Sequence, residues 1–219
     1  MTNVVFCITM YNEVNTVQFN INTIKKQFFG SKIIVIQSES DRKIEGADIY
    51  EVLPNLAGAV PIHELPAVAV TRNYNLAFSK LYSTYFSAPY IVAITGDTLI
   101  SDIKGLDRIY RQMLDNKKVL AVSQAIGQDF HSSTSNPPVI CGGRYQFDGI
   151  SDFMPQFFIV EGNFAYKTKV FSNTQITNKY TTEQCLGDEF CKHGSFKDQV
   201  LVLSKTAYGF SDGIKYQTK

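Results

Sequence analysis

Asp97 follows an apolar run. In the stretch YIVAITGDT, Ile91, Val92, Ala93 and Ile94 give way to Thr-Gly-Asp-Thr. A carboxylate at the tip of a buried strand either caps a turn or offers oxygen to a divalent cation. Mg²⁺ or Mn²⁺ takes one or two protein carboxylates and completes its shell with phosphate and water oxygens. Asp188 and Glu189 stand side by side in LGDEFCKHG. Adjacent helical residues point about 100° apart, so only one can face a given site. One could act as a general base; an ordinary solvated acidic pair is the alternative. Arg72 and Asn73 read as the opening of a helix, where a guanidinium and an amide suit a phosphate or a sugar. A surface arginine is the alternative there.

Those residues need a scaffold that gathers distant segments. Val4 to Thr9 (VVFCIT), Ile33 to Ile36, Asp48 to Leu53, Ile91 to Ile94 and Val119 to Ser123 read as short strands, most of them apolar and rich in β-branched residues. Helical spacings run between them: Val14, Val17, Ile21, Ile24 and Phe28, ended by Gly30; then Val70, Tyr74, Ala77, Leu81 and Tyr85. A third helix carries Leu106, Ile109, Tyr110 and Met113 behind a cap at Ser101 or Asp102. Alternating strands and helices, with strands apolar on both faces, predict an α/β fold with a mainly parallel sheet covered on both sides. Ligands of such sheets lie beyond the carboxyl ends of the strands. Three polar clusters fall there: Thr9 to Glu13, Gln37 to Asp41, and Thr95 to Asp97.

The second half changes character. Gln128 to Asp152 is rich in Gly, Ser, Pro and Asn and reads as a long irregular excursion. Strands are expected at Phe157 to Val160, Phe164 to Tyr166 and Val200 to Leu203. A helix is expected over Thr181 to His193, where Thr181 and Gln184 have capping-box spacing and Gly187 works against it.

Length and composition set bounds. A chain of 219 residues suits one large domain and buries enough surface to need no staples. A net charge of +1 argues against a nucleic-acid partner. There is no G-x-G-x-x-G, no P-loop and no G-x-S-x-G, and His63, His131 and His193 are scattered. Dinucleotide enzymes, P-loop nucleotidases, hydrolase triads and His-rich metal sites are thereby set aside. Cys7, Cys141, Cys185 and Cys191 lack zinc spacing and read as reduced thiols of a cytoplasmic protein, with Cys7 packed as a small hydrophobe. The N-terminus has no basic region or apolar run suited to export, and no stretch approaches the ~18 apolar residues of a membrane span.

In their order these segments resemble the GT-A nucleotide-diphospho-sugar transferases, especially the family-2-like inverting glycosyltransferases. VVFCITMYNE resembles their first strand and its Tyr-Asn-Glu, and IIVIQSESD their second strand and its polar tip. TRNYNLAFSKL resembles their Arg-Asn helix, YIVAITGDT the strand carrying their Asp-x-Asp, and LGDEFCKHGSFKDQVLVLSK their acidic pair, helix and closing strand. The resemblance covers residues 4–204. The chain is also similar to the compact glycosyltransferase domains of large algal DNA viruses, which are involved in capsid glycans.

The resemblance implies one glycosyltransferase domain over 1–219, with a nucleotide-sugar-binding half at 1–123 and an acceptor-binding half at 124–219. It implies a hexosyl- or deoxyhexosyltransferase that uses a UDP- or GDP-sugar, a glycan or glycoprotein acceptor, Mn²⁺ or Mg²⁺, and inversion. Thr9, Tyr11 and Glu13 would hold the nucleoside. Gln37 and Ser38 would lie near the base, where the family often has an acidic residue. Arg72, with Asn73 beside it, would approach the diphosphate. Asp97 matches the last residue of Asp-x-Asp as metal ligand, Thr95 takes the first position, and Gly96 stands between them. Asp188 would be the base, with Glu189 as the competing candidate. Thr95 in place of a carboxylate implies a metal that leans on phosphate, water or a distant side chain such as Asp212 or His193. Two other readings stand beside this one. One is a nucleotidyltransferase on the same fold, although TMYNEVN replaces the usual Gly-rich loop. The other is a nucleotide-sugar-binding module without catalysis, which Thr95 favours.

Overall fold

A computed structural model describes residues 4–39, 43–61, 65–84, 90–100, 103–115, 121–124, 146–147, 150–151, 157–161, 200–203 and 214–216. In chain order these form β1 (Val5–Met10), α1 (Val14–Gln27), β2 (Lys32–Ser38), β3 (Ile49–Leu53), α2 (Leu65–Thr84), β4 (Tyr90–Thr95) and β5 (Thr98–Ile100). Then come α3 (Ile103–Asp115), β6 (Ala121–Gln124), β7 (Gln146–Phe147), β8 (Ile150–Ser151), β9 (Phe157–Glu161), β10 (Val200–Leu203) and β11 (Ile214–Tyr216).

Seven strands build one sheet in the order β10-β6-β9-β4-β1-β2-β3. β1 runs parallel to β2 and β4, β2 to β3, and β6 to β10. β9 lies antiparallel between β4 and β6. The expected α/β sheet is present and mostly parallel. The reversal of β9 left no mark in the sequence, because FFIVE has the same apolar make-up as a parallel strand.

Central strands are buried on both faces, and residue parity sorts their side chains. Phe6, Ile8 and Met10 of β1, Ile33 and Val35 of β2, and Val92 and Ile94 of β4 join Val17, Ile21 and Ile24 of α1 and Leu106 and Tyr110 of α3. On the other face Val5 and Cys7, Ile34 and Ile36, and Ile91 and Ala93 pack with Tyr74, Ala77, Phe78 and Leu81 of α2. Cys7 is a free, fully buried thiol, and burial pushes its pKa up. That suits packing rather than reactivity.

α1 ends as its sequence predicts. Phe28 N–H still bonds Ile24 O at 2.7 Å, and Gly30 then takes φ +81°, a left-handed turn that glycine adopts without strain. α2 corrects the sequence reading. It starts at Leu65, so Arg72 and Asn73 lie about two turns inside it and do not open it. Pro66 sits in its first turn, where a missing N–H costs little, and the helix runs on through Ala67-Val68-Ala69-Val70.

β5 pairs antiparallel with β11 in a separate ribbon, and β7 pairs with β8. Three residues are too few to carry a periodic signal, and the sequence reading passed from Asp97 straight to a helix cap. Ser101, Asp102, Phe164 to Tyr166, Thr181 to His193 and most of Gln128 to Asp152 lie outside the described residues. No described helix is long and apolar enough to cross a membrane.

Candidate functional site

The carboxyl ends of β4, β1 and β2 stand side by side, because β1 pairs with both neighbours (Thr9 with Thr95, Met10 with Gln37). Strands are about 4.8 Å apart, so the tips of β4 and β2 are separated by roughly 10 Å. Parity assigns Thr9, Thr95 and Ser38 to the face covered by α2, and Met10 and Gln37 to the face covered by α1.

At the tip of β4, the buried Thr95 hydroxyl donates to Asp97 Oδ1 at 2.5 Å and lies 3.1 Å from Thr98 Oγ1. Gly96 N–H donates to Thr9 O at 2.6 Å and stitches the turn to β1. Asn20 secures the far side. From within α1 its fully buried amide donates to Thr98 O at 2.8 Å and accepts Ile100 N–H at 3.0 Å. The side chain thus takes the place that a residue of a neighbouring strand would fill. Sequence reasoning overlooked Asn20. The available signal was an amide beside Ile21 on the apolar face of a helix, since a buried amide needs a partner.

At the tip of β1, Glu13 precedes α1 and turns its carboxylate back on the loop. Oε2 accepts Tyr11 N–H at 2.7 Å and Asn12 N–H at 3.1 Å. Glu13 also lies against Gly96. A Cβ on Gly96 would sit 2.8 Å from Glu13 Oε2 and 2.8 Å from Met10 Cβ. The missing side chain is what lets the two loops approach. Gly96→Ala is therefore expected to destabilise the fold by about 1–3 kcal/mol and to displace Glu13 from its two N–H groups. Thermal or denaturant unfolding checks this, and unchanged stability would show that the loops part freely. Tyr11 is 48% exposed at this tip.

At the tip of β2, Gln37 is fully buried and already engaged. Its Nε2 donates to Tyr11 O at 3.3 Å, and its Oε1 accepts the Tyr50 hydroxyl. Ser38 Oγ accepts from Asn73 Nδ2 at 2.9 Å and from Arg72 Nη2 at 3.1 Å. Arg72 Nη1 donates to Pro54 O at 3.0 Å. Partial burial lowers the guanidinium pKa. The acceptors around it are neutral, and among the described residues no carboxylate pairs with it. Arg72 thus holds the β2 tip, and no described carboxylate neutralises its charge there.

Tyr74 lies beneath this edge, fully buried. Burial raises its phenol well above the ordinary range, and the charge of Asp97 adds to the rise.

Asp188, Glu189, His193 and Asp212 lie outside the described residues. Among the described residues no three His, Cys, Asp or Glu side chains converge as a metal cage. Asp97 is half-buried, with Oδ1 engaged by Thr95 and no described partner on Oδ2. That donor set fits Mg²⁺ or Mn²⁺ held by one carboxylate together with phosphate and water oxygens. It does not fit a site built from protein ligands alone.

No protein-family model matches the chain, nor does any curated protein. Solved structures do. The whole chain aligns with 73% of glucosyl-3-phosphoglycerate synthase from Mycobacterium tuberculosis in complex with Mn²⁺, UDP and glucosyl-3-phosphoglycerate, at TM-score 0.56 and 14% identity. A complex of that synthase with Mn²⁺, UDP-glucose and phosphoglyceric acid gives TM-score 0.53 and 15% identity, covering 100% of this chain and 72% of the other. A mycobacterial protein gives TM-score 0.55 and 12% identity over 100% and 68%. The likeness establishes the fold, an α/β architecture of GT-A type.

Proposed function

We propose that this chain is a metal-assisted glycosyltransferase that moves a sugar from a nucleoside-diphosphate donor to an acceptor hydroxyl. One observation carries the reading. Arg72 offers a cation that no described carboxylate pairs at the tip of β2, and Asp97 offers a carboxylate oxygen beyond the tip of β4, with one strand between them. A nucleoside diphosphate can span that distance and satisfy both, directly at Arg72 and through a divalent cation at Asp97. The solved neighbours bind UDP with Mn²⁺ or Mg²⁺, ligands of this kind.

Each residue then has a part. Tyr11 presents an aromatic face to the base, and base–aromatic stacking needs no particular base. Thr9 and Glu13 shape the loop that carries Tyr11. Gln37 and Ser38 form the floor under the nucleoside, and Asn73 holds Ser38 beneath Arg72. Asp97 would hold a Mn²⁺ or Mg²⁺ ion, whose positive charge would offset the charge of the departing diphosphate. Asp188, with Glu189 as the alternative, takes the proton of the acceptor hydroxyl as the new bond forms, a contribution of about 10²- to 10⁴-fold. A base opposite the leaving group gives inversion. Residues 1–123 bind the donor and 124–219 the acceptor. A glycan is one acceptor class to try. Phosphoglyceric acid, bound by the solved neighbours, is the other class to try.

The test is transfer or hydrolysis from a panel of UDP- and GDP-sugars, with phosphoglyceric acid and oligosaccharides as acceptors. Activity is expected to need Mn²⁺ or Mg²⁺, to stop on chelation and to return when the metal is restored. Binding of a nucleotide sugar with no turnover across the panel would favour a binding module, the reading that Thr95 supports. Release of pyrophosphate from a nucleoside triphosphate would favour a nucleotidyltransferase.

A further inference from the structure

We infer that Thr95 and Thr98 do the positioning work of a second carboxylate: they hold Asp97 with one oxygen free, so that a divalent cation is retained only together with the phosphates of the nucleotide. This inference rests on the reading of the edge as a nucleotide-sugar site and adds the order in which its ligands are held.

The direction of the hydrogen bonds follows from counting protons. An ionised carboxylate can only accept, so the 2.5 Å contact uses the single hydroxyl proton of Thr95. The 3.1 Å contact between Thr95 and Thr98 must then be donated by Thr98. The chain runs Thr98 to Thr95 to Asp97. Its origin is rigid: Thr98 is fully buried, Asn20 holds its carbonyl, and β5 pairs with β11. Asp97 Oδ1 is thus pinned from inside the protein, and Oδ2 has no partner among the described residues. A divalent cation beside one singly bonded carboxylate keeps an excess of positive charge and most of its coordination shell unfilled by protein. The diphosphate supplies both the oxygens and the charge. Thr95 is therefore a positioning residue that couples metal retention to nucleotide.

Free Mn²⁺ in solution, measured by electron paramagnetic resonance, tests this with Mn²⁺ alone and with Mn²⁺ plus UDP or GDP. Wild type is expected to hold Mn²⁺ weakly alone and at least tenfold more tightly with the nucleotide. Thr95→Val should weaken Mn²⁺ in the ternary complex by about 10- to 100-fold, as for other residues that orient a ligand. Its affinity for the nucleotide under chelation should stay unchanged. Thr95→Ser should rescue the metal affinity. Thr95→Asp should capture Mn²⁺ without nucleotide at least tenfold more tightly than wild type. If Thr95→Val does not fold, Thr98→Val breaks the same chain one hydroxyl earlier and should weaken Mn²⁺ in the same direction. A folded Thr95→Val with wild-type ternary affinity overturns the inference, as does tight Mn²⁺ binding by wild type alone. Wild type that binds neither UDP nor GDP, with or without Mn²⁺, overturns the functional reading itself, which is a separate result.

Discussion

Asp97→Asn is expected to lower sugar transfer by about a hundred- to a thousandfold while leaving the fold in place. The magnitude is that of removing one group which stabilises charge developing in a transition state. The fold should persist because Asp97 is half-buried and its described bond is the one it accepts from Thr95. The new amide keeps a carbonyl oxygen for that bond and loses only the negative charge. Stability and activity should therefore separate: the unfolding curve stays near wild type, and kcat/KM for the donor collapses. Excess Mn²⁺ should recover part of the loss, since the amide is still an oxygen ligand, though a poorer one. Steady-state kinetics over a range of Mn²⁺ concentrations, alongside a melting curve, read both effects. A variant that kept half of the wild-type turnover would move the metal, and the chemistry with it, away from the tip of β4.

Asn20→Leu is expected to carry the largest stability cost among the residues around the site, about 2–4 kcal/mol. Leucine branches at Cγ as asparagine does and suits the apolar face of α1, and its larger volume adds only part of the cost. The rest comes from what is left behind. Thr98 O and Ile100 N–H lose the two bonds of 2.8 and 3.0 Å that the amide makes. Each buried backbone group left unsatisfied costs about 1–3 kcal/mol. For a domain of this size that corresponds to a fall in Tm on the order of 10 °C. The effect should also reach the ligand edge, because Thr98 begins the hydroxyl chain that ends on Asp97. Urea unfolding with a metal-dependent nucleotide affinity measurement would show both losses in one variant. A stability change below about 0.5 kcal/mol, the usual scatter for surface substitutions, would mean that β5 does not depend on this amide.

These two residues show where sequence reasoning reached and where it stopped. Asp97 was legible because of its place. A contiguous apolar run is how a strand buried on both faces is written, and a carboxylate directly after it belongs at the strand end. The same logic located Thr9 to Glu13 and Gln37 to Ser38 at neighbouring tips. Asn20 was not legible. Its place on the apolar face of α1 hinted at burial, but its partner Thr98 is 78 positions away and nothing in VNTVQFNIN names that partner. Arg72 was found as a residue and misplaced on its helix, because the apolar spacing was read only from Val70 onward, whereas the helix starts at Leu65.

The amino-acid order by itself determined the class of the fold. Contiguous apolar runs and helical spacing are local properties, and each strand or helix records them in its own residues. It also determined which polar residues stand at the ends of which strands. Only the tertiary structure decided what those residues do to one another. The pairing of β1 with both β2 and β4 brought three tips together. The parity of each strand then chose the face: Ser38 came to Arg72 and Asn73, and Thr95 came to the face that α2 covers. Gly96 met Glu13, and Thr98 met Asn20, because a crossing of β5 and α1 placed them there. Hydrogen bonds depend on distances of a few tenths of an ångström between groups far apart in the chain. Local sequence does not encode such distances, and the packing of whole elements does.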